Sequence, residues 1–313
     1  MPFPEGHTVF ATGGHGFIGR RVVAALVAAG ARVICPYRSD GEAVRDLPGE
    51  PIELDLVDAA ATAGAVAGCD TVVHLAARAG GITFQEASQA ELFLSNQAVT
   101  ASVLAAAAAA GVRRVFLASS AVVYAPQPGP VPIGEDDPLV GPGDDPSGYA
   151  WSKVCDEVLG GWHRDDLEVV AGRFTNVYGP HDPGAGGGTV IHDLAARAVE
   201  AAPDGEFTVW GDGSAVRSFV YVDDAAAAVI RITASGAPGT AYNVDSGRAV
   251  TIAGVAGVVA AAAGPGVSLR FDPSRPSGEP FRVLDIARLR GLGWEPQVDL
   301  EEGVARVVAG LGG

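Results

Sequence analysis

The chain has 313 residues, of which 48% are apolar, and a formal net charge of −16. A chain of this length can bury one large core or two modest ones, and its acidic balance argues against nucleic acid or an anionic membrane as the main partner. The three cysteines, Cys35, Cys69 and Cys155, lack metal-ligand spacing, so we expect neither a disulfide framework nor a metal site. With no signal-like N-terminus and no uninterrupted apolar stretch of membrane-spanning length, we expect a cytoplasmic protein without a membrane partner.

The first predicted elements are a short apolar strand that starts at Thr8, a glycine-rich turn and a helix over Arg20–Ala29. Gly13, Gly16 and Gly19 give the turn the spacing G-x-x-G-x-x-G. Glycines let a pyrophosphate approach the backbone closely, and the N-terminus of the following helix supplies free N–H groups and a favourable dipole. The strand-turn-helix context predicts a bound dinucleotide.

Strands and helices alternate through the first half of the chain. The further predicted elements are strands at Ala31–Cys35, Pro51–Leu54 and Thr71–Leu75, a helix at Glu91–Ala110, a strand at Arg114–Ala118, a loop at Ala125–Gly148, a helix at Tyr149–His163, a strand at Leu167–Phe174 and a loop at Gly179–Gly188. This alternation predicts an α/β fold, a doubly wound parallel sheet with helices on both faces.

The carboxyl ends of the predicted strands are expected to line one cleft, because ligands of such sheets bind there. The residues that fall at strand ends are Thr12, Ala76, Ser119, Ser120 and the segment 174–176.

Tyr149 and Lys153 are four residues apart, so their side chains share one face of the predicted helix. An ammonium beside a phenol favours the phenolate, which suits proton transfer at neutral pH. Ser120, at the end of the fifth strand, can hydrogen-bond the same substrate oxygen. Downstream of a nucleotide-binding turn, this set predicts acid–base catalysis.

Several ordered motifs carry a resemblance to one family over nearly the full length. The chain resembles an extended short-chain dehydrogenase/reductase of the nucleotide-sugar epimerase/dehydratase group. The motifs are Thr12–Gly19 (T-G-G-H-G-F-I-G), Val73–Ala77 (V-H-L-A-A), Asn96, Ser119–Tyr124 (S-S-A-V-V-Y), Tyr149–Lys153, Arg173–Pro180 (R-F-T-N-V-Y-G-P), Trp210–Asp224 and Leu284–Pro296.

The resemblance implies a Rossmann-type dinucleotide-binding domain in residues 1–175, with a returning segment near 208–232. Residues 176–313 are then mainly a smaller, mixed α/β domain for a nucleotide-sugar. Family members often pair through their long helices, so a homodimer is expected.

Residue roles follow from the same resemblance. Tyr149 is the acid/base on a sugar hydroxyl, Lys153 holds the nicotinamide ribose, and Ser120 positions the hydroxyl. The implied substrate contacts are Ser120, Asn176, His181 and Arg217, the last on the diphosphate, where a planar guanidinium pairs well with phosphate oxygens. The implied cofactor contacts are Gly13, Gly16, Phe17, Ile18, Gly19, Arg38, Asp55, Leu56, Ala76, Ser119, Tyr149 and Lys153.

Two departures from the family pattern narrow the chemistry. Dehydratases of the group carry an Asp-Glu pair after the strand-end Ser or Thr, whereas this chain has Ala121 and Val122, so dehydration is not expected. GDP-L-fucose synthase and GDP-mannose 3,5-epimerase use a Cys base near the same serine. Val122 occupies that position and cannot take a proton, which argues against their C3 and C5 chemistry.

The GDP-sugar branch is nevertheless the nearest in motif. Ala79–Ile82 (A-G-G-I) resembles both of those enzymes, Tyr178–Asp182 and Pro276–Pro280 resemble the synthase, and Arg217–Phe219 resembles the 3,5-epimerase. His181 matches a catalytic acid of the synthase, and a catalytic role, a substrate contact and a surface loop position all stay open for it.

The predicted function is therefore that of an NAD(P)-dependent nucleotide-sugar epimerase that oxidises and re-reduces one sugar carbon, most simply C4, of a GDP- or UDP-linked hexose. One alternative is an NADPH-dependent reductase of a keto-sugar, including the fucose synthase type. A non-catalytic dinucleotide-binding protein is another. The second strand ends in Pro36, Tyr37 and Arg38 rather than an acid; Arg38 could meet a 2′-phosphate or lie over the adenine, so NAD is expected and NADP is the alternative.

Overall fold

The computed structural model describes residues 6–38, 45–79, 88–127, 129–144, 146–180, 190–203 and 205–312. Within these ranges the strands are β1 (Thr8–Thr12), β2 (Arg32–Tyr37), β3 (Glu50–Glu53), β4 (Thr71–His74), β5 (Arg114–Ser120), β6 (Glu168–Phe174), β7 (Asn176–Tyr178), β8 (Glu206–Trp210), β9 (Val216–Arg217), β10 (Phe219–Tyr221), β11 (Thr240–Val244), β12 (Val250–Thr251), β13 (Ser268–Asp272) and β14 (Phe281–Arg282). The helices are α1 (Phe17–Ala28), α2 (Ala59–Val66), α3 (Gln89–Ala109), α4 (Gly148–Trp162), α5 (Val190–Ala201), α6 (Val222–Ser235), α7 (Ile252–Ala263), α8 (Ala287–Arg290) and α9 (Leu300–Leu311).

The central sheet has seven parallel strands in the order β11-β6-β5-β4-β1-β2-β3. The order runs outward from β1 on one side and from β4 on the other, so the chain reverses its winding between these two strands. This confirms the predicted Rossmann-type doubly wound sheet. Helix α1 begins at Phe17, earlier than the predicted Arg20, because extended backbone at Gly16 (φ −73°, ψ 174°) places the N-cap there.

Alternate residues of each central strand face opposite cores. Val9 and Ala11 of β1 pack with α1 and α6 on one face, whereas Phe10 packs with α2 and α3 on the other. All three residues are fully buried. Strands covered on both faces therefore read as continuous apolar runs, which is typical of parallel sheets.

Helix α3 is, in the described part of the chain, the one helix long and apolar enough to cross a membrane by length and composition. It packs against α2 and α4, and its Leu92, Val103 and Leu104 are buried in the fold. Its composition therefore also suits a core helix. The expected absence of a membrane partner stays a prediction.

The chain returns to the central sheet late. Helix α6 packs against α1, β5 and β6, and β11 then pairs with β6, with Thr240 opposite Val170 and Val244 opposite Phe174. The returning segment runs over 222–244, which differs from the predicted 208–232, because β8 pairs with β13 outside the central sheet. The division into two domains stays a prediction.

Three short sheets carry the remaining strands. Strand β10 pairs with β7, β13 pairs with β8, and β9 lies between β12 and β14. In the last of these sheets Arg217 lies opposite Arg282. Helices α5, α7 and α9 pack against one another, which agrees with a mixed α/β part beside the central sheet.

A fully buried carboxyl, that of Asp245, ties the end of β11 to these short sheets. It accepts hydrogen bonds from the Ser218 hydroxyl, from the Leu284 N–H at 3.0 Å and from the Ser246 N–H at 2.6 Å. Burial raises the pKa of Asp245 to about 6, and the hydrogen bonds offset this only in part.

We expect the stability of the wild-type protein relative to Asp245→Asn to depend on pH. A carboxyl with a pKa of about 6 when folded and 3.8 when unfolded binds its proton more tightly in the folded chain. Its contribution is therefore fully present below about pH 4 and is lost as the pH rises through about 6. In urea unfolding, the free energy of unfolding of the wild type minus that of the variant should fall by about 2.5 kcal/mol from about pH 4 to about pH 7. Parallel pH curves for the two proteins would contradict this account of Asp245.

Candidate active site

A cavity of about 400 Å³ opens at the carboxyl ends of the central strands, where the winding of the sheet reverses. The glycine-rich turn, the segments that follow β2, β3 and β4, and helix α3 bound it. Half of the predicted cofactor residues line this cavity, namely Gly13, Gly16, Arg38, Asp55, Leu56 and Ala76. Position and lining both suit a dinucleotide.

The glycine-rich turn is pressed against its neighbours. Gly13 has a φ of +66°, and a Cβ there would lie 2.7 Å from the Ala76 backbone nitrogen. A side chain at Gly19 would overlap the Gly13 carbonyl oxygen. Gly16 provides no side-chain cap for α1, which leaves the first N–H groups of the helix for an anion such as a pyrophosphate.

Phe17 and Ile18 form the first turn of α1, and their side chains pack against the core. Neither lines the cavity. A cofactor contact at these two residues would therefore use backbone N–H groups, in keeping with the predicted anion site.

A buried, neutral histidine fixes the segment that lines the cavity after β4. The fully buried His74 bonds through Nδ1 to the Thr12 hydroxyl at 2.7 Å and through Nε2 to the Thr100 hydroxyl at 3.2 Å. Burial, with a smaller effect from the Lys153 charge, lowers the pKa of His74 to about 3. Thr12 in turn accepts the Ala76 N–H at 3.2 Å, so this chain of bonds fixes the segment after β4.

Asn96 fixes the same segment from helix α3. Its Oδ1 accepts the Arg78 N–H at 2.8 Å, and its Nδ2 donates to the Arg78 carbonyl at 3.0 Å. The side chain thus pairs with both the N–H and the C=O of one residue, which gives a physical reason for an Asn at this position of the family pattern.

Lys153 connects Tyr149 to β5, the strand that ends at Ser120. Ser147 caps helix α4 by accepting the Ala150 N–H at 3.1 Å, so Tyr149 lies in the first turn. The Lys153 Nζ lies 5.9 Å from the centre of the Tyr149 ring and donates to the Ala118 carbonyl at 2.8 Å. Ser120 is the last residue of β5 and is half-buried.

Ser119 faces away from its neighbour Ser120, as successive residues of a strand do. Its buried hydroxyl donates to Glu157 at 2.5 Å. A cofactor contact at Ser119 would therefore be left to its backbone. Glu157 also pairs with Arg173 at 2.7 Å, and Arg173 donates to the Tyr124 hydroxyl at 2.9 Å.

Arg217 is half-buried on β9, and burial lowers its pKa. It donates to the Val216 carbonyl at 2.8 Å, and no carboxylate of the described chain forms an ion pair with it. Asn176, also predicted to contact substrate, donates to the Ser218 carbonyl at 2.9 Å and so holds the strand next to Arg217. The Glu279 charge acts on Arg217, but that carboxylate is itself paired with Arg282 at 2.5 Å. A desolvated guanidinium without an ion pair of its own suits an anionic group.

Trp210 has no role predicted from its residue type, yet it is 57% exposed at the end of β8. Two guanidinium groups approach its ring, that of Arg197 at 6.0 Å and that of Arg275 at 5.3 Å from the ring centre. The W-G-D-G motif drew attention to the Trp210 segment in the sequence. The contact with Arg275 could not be predicted, because it depends on the pairing of β8 with β13.

His181 lies outside the described residues, as does the Gly80–Ile82 part of the A-G-G-I motif. All three cysteines are free thiols, and burial raises the pKa of Cys35 to about 12. Among the described residues no group of three or more His, Cys, Asp or Glu side chains could hold a metal ion.

Comparisons with known proteins agree with this geometry. The family model described as the NAD dependent epimerase/dehydratase family matches residues 9–245. A dTDP-4-dehydro-6-deoxy-D-allose reductase from Streptomyces sp is 35% identical over 91% of this chain and 90% of its own length. The GDP-L-fucose synthase of Escherichia coli K12 is 32% identical over 81% and 84%. The solved UDP-glucose 4-epimerase of Thermotoga maritima superposes with a TM-score of 0.85 at 26% identity and covers 96% of this chain and 97% of that one.

These matches confirm the resemblance stated from the motifs, the enzyme class and the nicotinamide cofactor. The family model covers the strand ends, the glycine-rich turn and the Tyr149–Lys153 pair. The chain belongs to the NAD dependent epimerase/dehydratase family, as a short-chain dehydrogenase/reductase of the extended type.

Proposed function

We propose that this enzyme transfers hydride between a nicotinamide cofactor and C4 of a nucleoside diphosphate hexose. One observation supports the proposal: Lys153 lies 5.9 Å from the Tyr149 ring and bonds to Ala118 of β5, whose carboxyl end lies at the same sheet edge as the dinucleotide cavity. A proton-transfer group beside a nicotinamide site is what interconversion of an alcohol and a ketone requires.

The chain supplies binding, orientation and the proton path. When bound, the nicotinamide supplies or accepts the hydride. In the direction of reduction, the Tyr149 hydroxyl gives its proton to the sugar carbonyl oxygen as hydride reaches the carbonyl carbon, which leaves an alcohol and a phenolate. Ser120 orients that oxygen by a hydrogen bond, and the Lys153 ammonium stabilises the phenolate. Oxidation runs the same steps backwards.

Of the two net reactions expected from the sequence, C4 epimerisation and reduction of a 4-keto-sugar, we favour reduction by NADPH. The Streptomyces relative that is 35% identical to this chain is a dTDP-4-dehydro-6-deoxy-D-allose reductase, and the match covers 90% of its length. Arg38 lines the cavity at the end of β2, a position where an acid would bind the 2′-hydroxyl of NAD. Epimerisation remains the second candidate because the sugar need only turn over between the two hydride transfers, as in the 4-epimerase whose fold matches.

The substrate side supports a nucleotide-sugar. Arg217 forms no ion pair with a described carboxylate, so its guanidinium is available to a diphosphate. The exposed Trp210 ring offers a face on which a nucleobase can stack. The flanking Arg197 and Arg275 hold that ring in place by cation–π contacts.

We propose a homodimer that forms through α3 and α4, and a cytoplasmic location. Leu94 on α3 and Trp162 on α4 are 65% and 74% exposed, and Val158 lies one turn before Trp162. Large apolar side chains exposed on two adjacent helices favour an interaction surface there.

The reductase assignment predicts turnover of a 4-keto nucleotide-sugar with NADPH. Dideuterated NADPH should place deuterium at C4 of the product, and NMR in ordinary water detects it there. Panels of dTDP-, GDP- and UDP-linked sugars identify the nucleotide. Conversion of a saturated sugar to its C4 epimer without added NADPH would establish the epimerase instead. In a parallel run in deuterated water, solvent deuterium at C3 or C5 would contradict the C4 assignment.

Arg38→Ala tests the cofactor part of this assignment. Loss of a charged contact to a 2′-phosphate should raise the KM for NADPH by about tenfold or more and leave that for NADH within about twofold. Equal effects on the two cofactors would place Arg38 over the adenine and remove its argument for NADPH.

Tyr149→Phe should lower turnover by at least about 100-fold, because the phenol is the proton-transfer group. Cofactor binding, followed by fluorescence of the bound reduced dinucleotide, should stay intact. Unchanged turnover would show that Tyr149 is not the proton-transfer group.

The dimer surface predicts that the wild-type chain sediments at twice the mass of the Trp162→Glu variant, because a buried carboxylate opposes association. Equal masses of the two proteins in analytical ultracentrifugation would contradict a dimer interface at Trp162.

A further inference from the structure

The Lys153 ammonium is paired with a carboxylate inside the protein. Its Nζ lies 3.1 Å from Asp156 Oδ2, and the side chains of Lys153 and Asp156 are only 3% and 2% exposed. Gln97 of α3 donates to the other oxygen, Asp156 Oδ1, at 2.9 Å. The same amide nitrogen donates to the Ser152 carbonyl at 2.9 Å, so the carboxylate is held from a second helix.

The described groups with an electrostatic contact to this pair are His74 and Cys155; burial and the Asp156 charge raise the pKa of the Cys155 thiol, which is therefore neutral. His74 of β4 is neutral, because burial and the Lys153 charge lower its pKa to about 3. From β6, Arg173 faces Glu157, and the two neutralise each other at 2.7 Å. The ammonium that lies 5.9 Å from the Tyr149 ring is therefore compensated by the Asp156 carboxylate.

We propose that Asp156 is a positioning residue that compensates the Lys153 charge and thereby keeps Tyr149 in its protonated form to a higher pH. In a low-dielectric site an uncompensated ammonium would favour the phenolate strongly, whereas a neutral ion pair favours it less. The inference rests on the proposed role of Tyr149 in proton transfer.

A protonated Tyr149 is the form that reduction needs, since the phenol donates the proton to the carbonyl oxygen. Asp156 also restricts Lys153 to a fixed position: two of its three N–H groups are committed, to Asp156 and to the Ala118 carbonyl. One N–H is left for a ribose hydroxyl or the phenol. The pair thus sets both the charge and the direction of the ammonium.

The test is a titration of Tyr149 in the holoenzyme, without any sugar. Protein with ¹³C-labelled Cζ in its six tyrosines is saturated with NAD⁺ or NADP⁺ in parallel and titrated by NMR, and the Tyr149 signal is assigned by its loss in Tyr149→Phe. In Asp156→Asn the titration midpoint should fall by on the order of one pH unit. Asp165→Asn, which removes the same charge from an exposed turn, should leave the midpoint in place.

An unchanged midpoint in Asp156→Asn overturns the inference. If that variant does not fold, Gln97→Leu decides: it keeps both charges but releases the carboxylate, and its midpoint should fall by a smaller amount, while no shift there overturns the inference. If the midpoint falls in Asp156→Asn but the protein reduces no keto-sugar, the proposed function is wrong and the inference about Asp156 stands. Where the protein is active, the pH at which the reduction rate is half-maximal should fall with the NMR midpoint, with KM for the sugar unchanged.

Discussion

A buried ion pair between Arg173 and Glu157 holds the catalytic helix against the sheet. Arg173 is on β6 and Glu157 on α4, and their 2.7 Å contact is reinforced by the Ser119 hydroxyl and by the Tyr124 ring, 4.9 Å from the guanidinium. Removing one partner of such a pair leaves a buried charge unpaired and costs about 3–5 kcal/mol. Because α4 also carries Tyr149, the geometry of proton transfer depends on this contact.

The parallel sheet determines what else can reach Tyr149. Every strand of the central sheet ends at the same edge, so Thr12, Ala76 and Ser120 come together although they are far apart in the sequence. This part was predictable, because apolar runs, a glycine-rich turn and strand-end polar residues are local patterns. The doubly wound fold followed from these patterns, and half of the cofactor residues that the family resemblance implies line the cavity.

The supporting residues were not predictable in the same way. Gln97 and Asp156 look like ordinary polar residues of helices, and their contact joins positions 59 apart in the chain. The joining of β11 to β6 likewise depends on α6 packing against α1, which no local pattern encodes. Residue roles that arise from packing between distant segments need the fold before they can be assigned.

The cationic groups of the site differ in how their charge is compensated, and the difference fits their tasks. Arg217 forms no ion pair with a described carboxylate, so in the proposed function its charge is available for a polyanion at the cost of desolvation. Lys153 is paired with Asp156, so in the same proposal it does not compete for that polyanion and acts on a proton instead. The overall charge of −16 does not prevent this, because exposed charges are screened beyond about 8 Å at physiological ionic strength whereas buried ones are not. Local pairing, rather than net charge, therefore decides which cation binds the substrate and which one serves the chemistry.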